Sequence, residues 1–490
     1  MFKKTLLVTL VFLLVFTTAF ANVNQEQPLP KSLTDAEREY ILNNYEEYLN
    51  SKTTRSREAL RLPQGNFYGP AEYEPADGVI FSWNGYTTLL KQLIKFVAED
   101  YKVWVVAGGS SYWSGSTVDS VKKELQNYGV NMANVNMIDY RLDSVWVRDF
   151  GPWWIYTEDG DREIIDFKYN RPRPNDDKLP IKMGEVLNVQ HYTTNLIMAG
   201  GNFMLDGHGV AIMTDVVFDP SQGGMPNMSV AQLEKYMKDL FNVEKVIILE
   251  QMKRDGTGHV DMFCKLLDDR TILVGEYASP SDGAENNYDI LNRNAARLAN
   301  ETNGKGEKFK VVRMPMPKYT GTSFSYTNSL IVNNKVLVPI YGFSTDETAL
   351  NIYRKHLPGY DVKGFDCRSI ITANGAIHCI TKLVMSDPLE IKANDIEDVR
   401  AGSDIYVEFE ISSAKEINPE AVTVYWSTNS EGPFAEVSAV EVDGKYLAAI
   451  PAQAVGTTVY YFIEAEDVRG MYDTLPNKAP YQGVLSVVVK

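Results

Sequence analysis

Between residues 63 and 384 short apolar runs alternate with stretches of helical period, a pattern that predicts an α/β class. Val103 to Ala107 (VWVVA) reads as a buried strand, Val118 to Tyr128 as a helix, and Ser144 to Ile155 as a strand and turn. Further strands are expected at Gly209 to Met213, Val246 to Leu249, Thr271 to Val274, Ser329 to Val332 and Lys335 to Ile340. Helices are expected at Val230 to Phe241, Asn287 to Ala299 and Thr345 to His356. Loose recurrence of strand–helix units hints at internal pseudo-repeats. Upstream, Thr34 followed by Asp35, Glu37 and the apolar positions Tyr40, Ile41 and Tyr45 predicts a short helix capped by threonine. After Met385-Ser386-Asp387-Pro388 the period changes to two: IYVEFEI at 405–411, AVTVYW at 421–426 and TTVYYFIEA at 457–465. Those strands predict a small all-β sandwich of the immunoglobulin or fibronectin type.

The resulting division is 1–21, 22–62, 63–384 and 385–490. Residues 1–21 have the form of a signal peptide: Lys3 and Lys4, an apolar run from Leu6 to Phe16, and the small residues Ala19 and Ala21 around Phe20. The run is shorter than the ~20 residues that cross a bilayer, so a secreted or periplasmic protein without a membrane span is expected. Residues 22–62 form a helical and linker segment in which Arg55, Arg57 and Arg61 lead to a boundary at Pro63. Hydrophobic content of 44% with 28 Tyr and 7 Trp provides for sizeable cores. Lys and Arg total 48 against 64 Asp and Glu, and removal of 1–21 takes away two lysines, changing the net charge from −16 to −18. Such a surface argues against nucleic acid as a partner and weakly steers cations.

With only three cysteines, Cys264, Cys367 and Cys379, the chain is not a disulfide scaffold, and at least one thiol has no partner within it. No Cys/His spacing of a structural zinc site occurs, and no metal is expected. Cys379 follows a glycine-containing turn, Asn374-Gly375-Ala376-Ile377-His378, and alone reads most simply as a small buried hydrophobe. Asp255-Gly256-Thr257-Gly258-His259-Val260-Asp261 sets His259 and Asp261 two apart, on one face if the segment is extended. Metal binding or a hydrogen-bonded surface pair would use the same two side chains. Trp146-Val147-Arg148-Asp149-Phe150-Gly151-Pro152 places a carboxylate among aromatics, to be satisfied by Arg148 or by a cationic ligand. Together these residue types suit one chemistry. Two carboxylates can hold a forked, permanently charged guanidinium, a thiolate can attack its carbon, and a histidine can pass protons to departing ammonia and from water.

The three segments, in this order, resemble the agmatine deiminase and Porphyromonas-type peptidylarginine deiminase family of the guanidine-modifying superfamily. The resemblance runs from Ala71-Glu72-Tyr73-Glu74-Pro75 to Ile377-His378-Cys379. It implies a five-fold pseudo-symmetric α/β propeller for the catalytic domain and no cofactor. It further implies Cys379 as nucleophile, His259 as acid and base, Asp149 and Asp261 as guanidinium ligands, and Asn328 lining the site. Asn328 reads equally as a turn or strand-end asparagine.

Tyr169-Asn170-Arg171-Pro172-Arg173-Pro174 separates the branches of the family. Agmatine has no carboxylate, whereas a peptide ending in arginine does, and Arg171 and Arg173 would grip it; otherwise the stretch is a solvated basic loop. The segment resembles the carboxylate-binding stretch of the Porphyromonas-type enzyme, with Trp146 beside the substrate. Ala199 stands where agmatine deiminases tend to have glutamate, and 373–376 (ANGA) is poorer in glycine than their nucleophile loop. The expectation is an exported deiminase forming citrulline and ammonia from the arginines of peptides or proteins through a Cys-linked thiouronium. Agmatine or free arginine is the alternative substrate, and an inactive arginine-peptide-binding surface protein is the alternative of another class. Cys264 and Cys367 are expected to be packing residues.

Overall fold

In the computed structural model of the 490-residue chain, the described residues are 28–44, 62–108, 116–158, 160–394, 396, 399–413, 416–468, 472–476, 479–481 and 483–490. The signal-peptide expectation for 1–21 and the arginines at 55, 57 and 61 lie outside them.

The unit that carries the candidate site repeats one motif, two antiparallel strands followed by a helix and a strand parallel to the second. Trp153–Thr157 pairs antiparallel with Arg162–Tyr169, which lies parallel to His191–Met198 after the helix Leu179–Leu187. Met204–Leu205 and Val210–Thr214 are followed by the helix Val230–Phe241 and the parallel strand Lys245–Leu249. Cys264–Leu266 and Thr271–Glu276 are followed by Asn287–Asn300 and Lys310–Pro315. Leu330–Val332 and Lys335–Ile340 are followed by Thr345–His356 and Asp361–Asp366. The fifth instance is split between the ends of the unit. Lys382–Met385 pairs antiparallel with Ala76–Ser82, which leads through the helix Thr87–Ala98 to the parallel strand Lys102–Ala107.

The central strands are apolar on both faces, as Val103–Ala107 shows by burying all five side chains, so they read as continuous hydrophobic runs instead of alternating ones. The helices bury a single stripe. Val230–Phe241 turns Leu233, Met237, Leu240 and Phe241 inward; Ser229 and Gln232 form a capping box at its start, and Asn242 closes it at φ 55.

Residues 389–488 form two antiparallel sheets that share one core. In Ile405–Ser413 the side chains of Ile405, Val407 and Phe409 face inward, against Val422, Val424, Ile463 and Ala465 of the other sheet.

The helix Asp35–Asn43 forms as expected, with Thr34 and Glu37 in a capping box. It is no detached linker. Leu33 and Ile41 pack on Ile197 of the catalytic unit.

The strand and turn expected at Ser144–Ile155 are both present, with the turn first. Val147–Phe150 is a single buried helical turn, and the strand starts only at Trp153. Asp149 N–H bonds Trp146 O at 3.0 Å and Gly151 N–H bonds Val147 O at 2.8 Å, so local hydrogen bonds override the apolar run.

Candidate active site

Three short turns carry the chemistry. Asp149 sits in the turn Val147–Phe150, and its Oδ1 accepts the Gly201 N–H at 3.1 Å. Asn202, in the same turn as Gly201, accepts the N–H groups of Thr214 and Val260 through Oδ1. That contact ties the Asp149 side of the site to the segment bearing His259 and Asp261. The same segment is bent by Gly256 (φ 84) and Gly258 (φ 71), and Asp255 Oδ1 accepts the amides of Thr257 and Gly258. His259 is extended, but Asp261 belongs to the 3₁₀ turn Val260–Met262, which corrects the expected common strand face. Cys379 likewise lies in a 3₁₀ turn, His378–Ile380.

The thiol of Cys379 donates to Asn328 Oδ1 at 3.2 Å and lies 3.7 Å from Asp261 Oδ2. Asn328 Oδ1 also accepts the amides of Ala376 and, at 3.4 Å, Cys379, so this asparagine fixes the loop that bears Cys379 instead of marking a free strand end. Asp261 Oδ2 bonds His378 Nδ1 at 2.8 Å, and His378 Nε2 bonds Glu72 Oε2 at 2.7 Å. Glu72 in turn pairs with Arg148 Nη1 at 2.8 Å and with Lys265. Arg148 is thereby engaged away from Asp149. His259 Nδ1 stands 3.6 Å from Asp149 Oδ1. Both His259 ring nitrogens, Asp149 Oδ2 and Asp261 Oδ1 are buried without a hydrogen-bond partner. A Cβ built on Gly201 would come within 2.7 Å of His259 Nδ1 and 2.8 Å of Asp149 Oδ1, so only glycine keeps this space open.

A side chain that the sequence reading left unassigned occupies that space. Lys31, fully buried, donates to Cys379 Sγ at 2.9 Å and lies 3.5 Å from Asp261 Oδ1 and 3.8 Å from Asp149 Oδ1. Its amide bonds Ala373 O at 3.0 Å, and its carbonyl accepts from Arg171 Nε at 3.2 Å. Trp146 Nε1 donates to Leu29 O at 2.7 Å. Arg173 pairs with Glu37 at 2.8 Å and donates to Pro30 O at 2.9 Å. Arg171 and Arg173 are 0% and 2% exposed, which excludes the solvated basic loop.

Burial and the two aspartates push the Cys379 thiol up to about 12, with Lys31 pulling the other way. Burial also raises Asp149, helped by Asp261. It would raise Asp261 too, but Lys31 and the His378 hydrogen bond outweigh it and hold that carboxyl far below the usual carboxylate range. Burial and the Lys31 charge hold His259 well below its ordinary value, so its imidazole is neutral. The site therefore presents two carboxylates to a cation, a protonated thiol beside it and a neutral imidazole able to accept a proton.

Lys31, Glu37, Glu72 and His378 were not assigned from sequence. Glu72 and His378 lie inside the motif segments, so proximity to motif residues was their signal. Lys31 and Glu37 gave none. Cys264 and Cys367 are buried and unpaired, as expected of packing residues. Among the described residues no helix is long and apolar enough to cross a membrane, and no group of three His, Cys, Asp or Glu is arranged to hold a metal ion.

A Yersinia pestis protein named as an agmatine deiminase is 25% identical over 365 residues, covering 66% of this chain and 96% of its own. The agmatine deiminase of Enterococcus faecalis has the same fold at TM-score 0.59 and 22% identity, over 67% of this chain and all of its own. A Porphyromonas gingivalis protein named as an arginine deiminase gives TM-score 0.57 at 22% identity, over 65% and 98%. Residues 68–384 match the model of the Porphyromonas-type peptidyl-arginine deiminases, and the chain belongs to that family of guanidine-modifying deiminases, hydrolases of C–N bonds.

Proposed function

We propose that the protein is an exported deiminase of peptide arginine, preferring a C-terminal one. Asp149 and Asp261 hold the guanidinium, whose charge persists at any working pH. His259 takes the thiol proton as Cys379 Sγ bonds to the guanidinium carbon, giving a tetrahedral adduct. The C–N bond then breaks, ammonia leaves with the proton from His259, and a thiouronium remains. Water, deprotonated by the same imidazole, adds to its carbon. The C–S bond breaks as the hydroxyl proton is lost to solvent, where the ammonia takes it up as ammonium; citrulline is released, and the thiolate recovers its proton from the imidazolium.

One observation carries the choice of a peptide. Arg171 holds the main-chain carbonyl of the residue whose side chain enters the site, where agmatine offers no atom. A terminal carboxylate at that point would engage Arg171 and Arg173 together. The second reading, agmatine or free arginine, is favoured by the names of the Yersinia and Enterococcus relatives. The reading also takes the five recurring units as a propeller around the site, the C-terminal sheets as an immunoglobulin-like domain, and residues 1–21 as the export signal.

The test is turnover of a peptide with C-terminal arginine, the same peptide amidated, and agmatine. The first should exceed the others, and equal rates on all three would remove the role of Arg171 and Arg173. Cys379→Ala should abolish turnover of all of them while the fold is retained.

A further inference from the structure

Residues 28–32 pass through the site as an internal peptide. The chain is gripped at successive main-chain groups: Leu29 O by Trp146, Pro30 O by Arg173, Lys31 N–H by Ala373 O and Lys31 O by Arg171. Asn374 Nδ2 adds a contact to Ser32 Oγ at 3.1 Å. Beyond this stretch the helix Asp35–Asn43 is anchored by Glu37 on Arg173 and by Leu33 and Ile41 on Ile197. Contacts to consecutive main-chain groups with one deep side-chain pocket are those of a peptide-recognition groove.

The pocket residue is a cation that cannot react. The Lys31 ammonium lies 3.8 and 3.5 Å from the two aspartates and donates to the sulfur, but it is bonded to a saturated carbon and offers no guanidinium carbon to attack. It also closes the site. Cys379 is 0% exposed and His259, Asp149 and Asp261 are 1–2% exposed with the segment in place. No substrate can reach the thiol until this stretch leaves.

We propose that residues 28–44 are a built-in pseudosubstrate, with Lys31 standing where an arginine side chain is read, and that the enzyme is latent until the segment is displaced or cut away. The inference rests on the reading of the site as a peptide-arginine deiminase. It deepens that reading by identifying the groove walls: Trp146, Ala373, Arg171 and Arg173 bind the main chain on either side of the reactive residue. Residues 45–61 connect the segment to the catalytic unit and contain Arg55, Arg57 and Arg61, after which a trypsin-like protease would cut. While the connection is intact the segment competes as an intramolecular ligand, at an effective concentration in the millimolar range.

The experiment places a site-specific protease sequence within 45–61 of the full chain. The folded protein is assayed on a peptide with C-terminal arginine and on agmatine, before cutting and after removal of the freed segment by gel filtration. Removal should raise turnover at sub-millimolar substrate by about tenfold or more. In parallel, Lys31→Arg in the uncut chain presents a true substrate in place, and position 31 should be recovered as citrulline by mass spectrometry. Unchanged turnover after removal, in an enzyme that is active, overturns latency, as does an unmodified guanidinium at position 31 of that active variant. If no form turns over any guanidine, the proposed function fails, and the groove is judged by binding alone. A labelled peptide of sequence 28–44 should then bind the cut protein at least about tenfold more tightly than its Lys31→Ala version, and equal binding overturns the pseudosubstrate.

Discussion

Glu37→Gln isolates the electrostatic part of the latch. Glu37 has two partners. Its carboxylate pairs with Arg173, Nε to Oε1 at 2.8 Å and Nη2 to Oε2 at 3.2 Å, and Oε2 also accepts the Thr34 amide. Glutamine serves the helix start as well as glutamate, so the capping box survives the change. What is lost is the countercharge of a guanidinium that is 2% exposed. Burial pushes the Glu37 carboxyl up, yet the Arg173 charge and hydrogen bond hold it below its ordinary value, so the pair is ionised in the docked form. Breaking a buried pair on one side costs about 3–5 kcal/mol. The single carbonyl oxygen of glutamine keeps the bonds from Thr34 and Arg173 Nη2 and loses the one from Arg173 Nε; at a cost of about 3 kcal/mol and about 1.4 kcal/mol per decade, docking weakens about a hundredfold. Leu33 and Ile41, worth about 1.5–3 kcal/mol each, continue to hold the segment in part. Because Glu37 lies outside the catalytic machinery and Arg173 is left intact, the variant should be faster than the parent. Initial rates of citrulline formation from a C-terminal arginine peptide should show a large rise in kcat/KM and little change in kcat at saturation. A kcat/KM equal to the parent's would refute the reasoning, and a fall would mean that the Arg173–Glu37 pair supports the active form.

Three other outcomes follow from the geometry. Gly201→Ala puts a methyl group within 2.7 Å of His259 Nδ1 and 2.8 Å of Asp149 Oδ1 and should lower kcat/KM by about tenfold or more, at an overpacking cost to stability of about 1–3 kcal/mol, since misplacement of a reacting group by about 1 Å is enough for such a loss. Cys379, 0% exposed beneath the segment and with its thiol pushed up to about 12, should be alkylated more slowly in the uncut chain than after removal of the segment, at every pH; equal rates would show an open site. The Glu74 carboxyl is pushed up to about 8 from 4.5, by burial first and by Asp473 and Asp206 after it. The folded state therefore holds this proton more tightly than the unfolded chain, and the stability it provides is complete below about 4.5 and lost as pH rises through about 8. Glu74→Gln should accordingly be more stable than the parent at about pH 9, by roughly 3–5 kcal/mol in chemical denaturation, and should lose that advantage at about pH 4.

Long helices with an apolar stripe were legible from sequence. Val230–Phe241 and Thr345–His356 are found at the expected residues because every turn repeats the signal. The turns around Asp149, Asp261 and Cys379 were not, since three or four residues are too few to show a period. Their motifs nevertheless carried the chemistry, and Asp149, Asp261, Asn328 and Cys379 converge through the contacts of Lys31, Asn328 and Asp261. Lys31 was illegible for another reason. A lone lysine in a polar stretch has no pattern, and the groups that explain its burial lie 118, 230 and 348 residues further along. The same holds for Glu37, whose partner Arg173 is 136 residues away.

The sheet that joins Lys382–Met385 to Ala76–Ser82 has a consequence for how the protein is made. Cys379 stands three positions before the strand Lys382–Met385, whose pairing partner was synthesised some three hundred residues earlier. Closure over so long a separation is entropically late and slow. A nascent chain consequently lacks the pairing that sets Cys379 beside Asp261 and Asn328 until Lys382–Met385 has been made. Residues 28–32, made first, are already present when Cys379 comes into place beside Lys31.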